Sequence, residues 1–177
     1  MSIALPLGMR MSVGDADRAE VGDRGIARAG DNGIASAGDM ARAVVGDGGV
    51  AKAGALSCAL SGARGRSVTG ERGYSVTGER GVAVTGEWGM AIAGLGGKVA
   101  VGEWGFALLE ATSLAGRRVL LEATPGEAGI LANVLYEARD GVLVRAADQS
   151  GLGQPPRPKG RGLQRGDSLS APFDRAG

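Results

Sequence analysis

The stretch "SVTGERGYSVTGERGVAVTGEWGMAIAG", residues 67–94, returns to the same pattern every eight positions. Followed outward in both directions, the register holds. With Gly at position one, units open at Gly14, Gly22, Gly30, Gly38, Gly46, Gly54, Gly62, Gly70, Gly78, Gly86, Gly94 and Gly102, twelve in succession over residues 14–109. A short fixed period of this kind marks a solenoid or array. Position two is mostly Asp or Glu and position four mostly Gly, so Gly-Asp/Glu-x-Gly supplies a tight corner. On this reading the corner glycines, Gly86 among them, are expected at positive φ.

Positions five to eight then form a short strand whose side chains alternate between faces. Position six is Ala, Ser or Val in every unit and position eight is small or apolar, so both point inward. Position seven carries Glu20, Arg28 and Lys52 and points outward with position five. A helix would need a period near 3.6, and paired glycines would dismantle it. The fold expected is an all-β parallel solenoid.

Two strands per coil give sixteen residues and sort the outward residues into two sheets. One shows Arg18, Glu20, Ile34, Ser36, Val50, Lys52, Arg66, Val68, Val82, Val84, Lys98 and Ala100. The other shows Ile26, Arg28, Arg42, Val44, Cys58, Leu60, Tyr74, Val76, Met90, Ile92, Phe106 and Leu108, and is apolar without interruption from Cys58 onward. Three strands per coil would mix charged and apolar residues on every face. The expectation is a flattened roll of six coils, roughly 29 Å long at ~4.8 Å per coil. Val84, as an outward residue, is expected to tolerate a charge.

The units of the "VTGERGVAVTGEWGMAIAG" type over residues 14–109 resemble the small-residue β-rolls in the heads of trimeric autotransporter adhesins. They are also similar to Gly/Ala octapeptide repeats of bacterial and phage proteins. What the resemblance implies is the parallel β-roll itself.

Composition agrees with a thin architecture. Of 177 residues 34 are Gly, and apolar residues reach 44% while aromatics are only 3%, so the interior must be built from Ala, Val and Leu. Twenty basic and nineteen acidic residues leave a net charge of +1, which calls for no nucleic-acid partner. The chain contains no histidine, which removes the usual catalytic triads and histidine metal sites, and no cofactor is implied. Cys58 is the single cysteine, compatible with a reducing compartment. "MSIALPLGMRMSV" lacks the apolar run of a signal peptide or membrane span, and the default compartment is cytoplasmic.

A solenoid exposes a strand edge at each end, and both edges need caps. Residues 1–13, with Pro6, are the candidate N-terminal cap. Residues 110–148 lose the period and read as a β-meander, with turns at Pro125-Gly126 and Asp140-Gly141. A rival reading makes the middle a helix, with Thr124, Pro125 and Glu127 at its N-terminus and Ile130, Leu131, Val134, Leu135 and Ala138 on one face. Residues 149–177 are rich in Pro, Gly and Arg and read as a flexible tail, with Pro155 and Pro158 at PxxP spacing.

Three features carry candidate chemistry. Asp15, Asp31, Asp47 and Glu79 share one edge of the roll, and Asp23, Asp39, Glu71, Glu87 and Glu103 the other. Such ladders offer oxygen to Ca²⁺, yet every coil repeats them, which fits solvated turn carboxylates better than a single site. Thr69, Thr77 and Thr85 invite comparison with water-ordering arrays, but at position eight they point inward on alternating sheets. Trp88 and Trp104, at position three of units two apart, should stack along one edge beside the apolar sheet.

The function expected is a non-enzymatic scaffold that self-associates or binds a protein partner through its apolar face. The residues involved are Leu60, Tyr74, Val76, Met90, Ile92, Phe106 and Leu108, with Trp88 and Trp104 at the border. The C-terminal meander is the competing occupant of that face. The alternative function is a carbohydrate- or calcium-binding roll of an envelope or phage particle.

Overall fold

The computed structural model describes residues 7–149, and within them every regular element is a strand. In chain order these are β1 (Arg10–Ser12), β2 (Arg18–Glu20), β3 (Ile26–Arg28), β4 (Ile34–Ser36), β5 (Arg42–Val44) and β6 (Val50–Lys52). They continue as β7 (Cys58–Ser61), β8 (Arg66–Val68), β9 (Tyr74–Thr77), β10 (Val82–Val84), β11 (Met90–Ala93) and β12 (Lys98–Ala100). The C-terminal end adds β13 (Phe106–Thr112), β14 (Arg118–Ala123), β15 (Tyr136–Arg139) and β16 (Val142–Arg145).

Successive strands alternate between two eight-stranded sheets. Sheet I runs β1-β3-β5-β7-β9-β11-β13-β14 and sheet II runs β16-β15-β12-β10-β8-β6-β4-β2. Within the repeats all pairing is parallel and in register, Ile26 beside Arg42 and Ala27 beside Ala43, so one coil takes sixteen residues. The chain is a β-solenoid of about six turns. The roll also begins earlier than the glycine pattern does. β1 lies within residues 1–13 and pairs with β3 through Arg10, Met11 and Ser12.

The interior follows the pattern of the unit. Position six is fully enclosed, with Ala19, Ala27, Ala35, Ala43, Ala51, Ala59, Ser67, Ser75, Ala83 and Ala91 all at 0% exposure. Side chains this small let the facing sheets approach closely, and close-packed methyl groups leave no slack for larger ones. In the middle coils hydroxyls replace aliphatics, and Thr69, Thr77 and Thr85 are buried as position eight requires. Ser67 Oγ donates to Val76 O at 2.8 Å and Ser75 Oγ donates to Val84 O at 2.8 Å, so these alcohols tie one sheet to the other.

The corners depart from expectation. The positive φ falls at position three, not at the glycine of position one, and the occupants are mostly large: Arg24 (57°), Met40 (52°), Leu56 (53°), Arg72 (52°), Trp88 (56°) and Trp104 (58°). Gly86 has no positive φ. Its hydrogen is needed for another reason: a Cβ there would lie 2.9 Å from the Glu71 nitrogen and the Gly70 carbonyl carbon one coil earlier. Position-four glycines are similarly pressed, and a Cβ on Gly89 would meet Thr85 Cβ at 2.5 Å.

After Leu109 the two sheets are completed in different ways. β14 pairs antiparallel with β13 and extends sheet I edgewise, and β15 pairs antiparallel with β12 to extend sheet II. Residues 124–135 are turns, neither the helix nor the strand that the sequence allowed, with Gly126, Ala128, Gly129 and Asn133 at positive φ. The segment after them adds to the edge of sheet II, with β15 beside β12 and β16 beside β15. Asn133 N donates to Val101 O at 2.8 Å, and Ala146 N donates to Leu135 O at 2.8 Å. The Gln149 amide brackets Leu135, accepting from its N–H at 2.9 Å and donating to its carbonyl at 3.2 Å.

Register sets Leu135 beside Ala100 and Ala146 beside Leu135, so both prolong the outward row of Val68, Val84 and Ala100, and the five pack as one buried cluster. Two expectations are thereby corrected. Val84 faces away from the roll interior, yet it is only 3% exposed. The C-terminal segment prolongs both sheets edgewise and, among the described residues, does not fold back over the apolar face of sheet I.

Candidate functional site

Strand register assembles the outer face of sheet I from two cross-strand rows. Position five contributes Cys58, Tyr74, Met90 and Phe106, each beside the next. Position seven contributes Val44, Leu60, Val76, Ile92 and Leu108 in the same manner. Leu60, Val76, Met90, Ile92, Phe106 and Leu108 are half-buried by shoulder-to-shoulder packing, and Tyr74 is 39% exposed. Every sheet-I residue expected at the site thus lies on one continuous surface. Among the described residues no strand or segment is layered over it.

The face has a border that the repeat does not announce. On β14, Leu120 pairs with Glu110 and Glu122 with Leu108, which puts Leu120 and Glu122 on the outer side. Leu120 is 58% exposed. Arg118 donates to Glu110 at 2.7 Å, and these two with Ile92 and Leu120 line a shallow depression of about 420 Å³ at the end of the apolar rows. The octapeptide period ends before β14, so only the alternation in "RVLLEA", residues 118–123, signals these positions. At the opposite end the rows pass into Arg28 and Arg42, both exposed.

Trp88 and Trp104 stack as their spacing predicts, with centroids 5.6 Å apart and planes 17° from parallel. They are 56% and 70% exposed. Because the rings cover each other, the space between them cannot admit a sugar ring. What they present outward is mainly an indole border running beside Met90 and Phe106.

Cys58 is half-buried in the position-five row. Burial pushes its thiol above the ordinary value, partly opposed by the Arg42 guanidinium beside it. Such a thiol is a small hydrophobe at neutral pH more than a nucleophile.

The aspartates of the ladder have a structural task. Asp15 Oδ1 accepts from Asp31 N at 2.9 Å, Asp31 from Asp47 N at 2.8 Å, and Asp47 from Ala63 N at 2.8 Å. On the other edge Asp23 accepts from Asp39 N at 2.9 Å and Asp39 from Ala55 N at 2.8 Å. Among the described residues no group of three or more acidic or thiol side chains is placed to hold a metal ion. Likewise, no described helix is long and apolar enough to cross a membrane. Pro155 and Pro158 lie outside the described residues.

No family model, curated protein or solved structure matches the chain.

Proposed function

We propose that the protein is a non-enzymatic scaffold that associates through the outer face of sheet I, with another protein or with itself. One observation carries this reading. On the outside of sheet II Val68, Val84 and Ala100 are buried, while a longer aliphatic and aromatic surface on sheet I stays half-exposed, with no segment over it among the described residues. Contiguous apolar patches of several hundred Å² on a folded surface mark interaction sites. Five coils at ~4.8 Å each and two rows of side chains give roughly 400 Å² here. A contact of about 800 Å² summed over both partners lies below the standard interface size, so reversible association in the micromolar range is expected.

The calcium alternative has less to draw on, because one oxygen of each ladder aspartate already accepts from a backbone N–H group. The carbohydrate alternative is left only the outer ring faces of Trp88 and Trp104, since their facing sides are stacked on each other.

Light scattering coupled to size exclusion, on the wild-type chain and on Ile92→Asp, tests the proposal. Ile92 points away from the interior, so the substitution is expected to leave the strand content intact and to abolish association. Unchanged association of a folded Ile92→Asp chain would remove sheet I as the contact face.

A further inference from the structure

One cross-strand row on sheet I reads the same charge logic from both ends. It opens with Arg28 on β3, passes through the five aliphatics from Val44 to Leu108, and closes with Glu122 on β14. Val76 on β9 is its centre, and the strand order places β3 and β14 three strands away on either side. Arg28 and Glu122 are both exposed, and neither appears among the ion pairs of the described residues. In the neighbouring row Arg42 and Phe106 stand two strands away from Tyr74 on either side, and beyond Arg42 the row continues through Ile26 to Arg10.

A surface with an apolar middle, a basic end and an acidic end complements itself in one orientation only. We infer that the partner is a second copy of the chain, docked face to face and end over end about a two-fold axis lying along β9. This rests on the reading of sheet I as the contact face. The rotation superposes each row on itself reversed. Val76 meets its own counterpart, Leu60 meets Ile92, Val44 meets Leu108, and Arg28 meets Glu122 twice, once at each end. Arg42 comes to lie over the ring of Phe106, where a guanidinium is attracted to the π-face. The two-fold along the roll axis would instead bring Arg10, Arg28 and Arg42 of both copies together, which like-charge repulsion opposes. Isologous contacts of this type repeat every pairing, so each charge acts twice.

The test uses the full chain in sedimentation equilibrium at physiological salt, with circular dichroism to verify the fold of each variant. Arg28→Glu and Glu122→Arg should each weaken the dimer by about tenfold or more, since two attractive pairs become two repulsive ones. An equimolar mixture of the two single variants should recover wild-type affinity to within a few-fold, because both end pairs are complementary in the mixed dimer. The double variant Arg28→Glu/Glu122→Arg should recover it as well. Association that responds to Ile92→Asp but not to either charge reversal would overturn the end-over-end arrangement and leave the contact face standing. A wild-type chain that stays monomeric at all concentrations would overturn the second copy as partner.

Discussion

Replacing Val84 with lysine tests the most consequential contact in the C-terminal half. Val84 sits at position seven of its unit, facing away from the roll, and is 3% exposed in a cluster with Val68, Ala100, Leu135 and Ala146. A lysine there has two outcomes. If the cluster holds, the ammonium is kept among aliphatic groups without a partner, at an effective cost of several kcal/mol. If the cluster opens, Leu135, now 1% exposed, returns to water together with Val68 and Ala100. Exposing a leucine and a valine side chain costs about 1.5–3 kcal/mol each, partly offset by the freedom the released segment regains. The lesser cost prevails, and a net loss of about 2–4 kcal/mol is expected.

For a chain of this size that corresponds to a melting temperature lower by roughly 5–10 °C. Hydrogen exchange should locate the change, with amides of residues 133–146 losing protection while those of β3 to β7 keep theirs. Val76→Lys is the internal control, the same position on a strand of sheet I, and should leave the melt of the monomer nearly unchanged. An unaltered melt for Val84→Lys, with residues 133–146 still protected, would refute the burial of this cluster.

Two further expectations follow from local geometry. Gly86→Ala should cost more than 1 kcal/mol although φ is ordinary there, because its Cβ meets the preceding coil, whereas Met40→Gly should stabilise by up to about 1 kcal/mol by relieving a left-handed φ; thermal melts with the opposite ranking would refute the corner assignment. Cys58 should alkylate more slowly than free cysteine at pH 8, with a rate still climbing above the usual thiol range because burial raises its pKa, and equal rates would show the row to be open.

The coil, its two sheets and its interior were legible because the period encodes them directly. A residue at position six or eight has an interior place whatever the rest of the chain does, and Ala83, Ala91 and Thr85 all occupy it. The Trp88–Trp104 stack was legible for the same reason, since equal positions two units apart must share a corner. The corner conformation was not. Glycine is the usual sign of a left-handed φ, yet here it marks close approach between coils, and the left-handed residues are Arg, Met, Leu and Trp. Nor was the extension of sheet II by β15 and β16 legible. It depends on turns at residues 124–135, where no repeat fixes which way the chain leaves the roll.

Sheet II also supplies the control by which sheet I can be judged. In a solenoid each coil touches only its neighbours, so outward positions are nearly free of the fold's demands. On sheet II position seven carries Glu20, Ser36 and Lys52 where solvent reaches it, and changes to Val68, Val84 and Ala100 where it is buried. Within this one chain, then, the same position is polar when open to solvent and aliphatic when buried. Sheet I shows the same change, from Ser12 and Arg28 to Val44, Leu60, Val76, Ile92 and Leu108, with no described segment above it. The interior does not require those five aliphatics, since positions six and eight already close it. That surplus of aliphatic side chains is the ground for proposing a partner from outside the described roll, oriented by the charges Arg28 and Glu122 that flank the row.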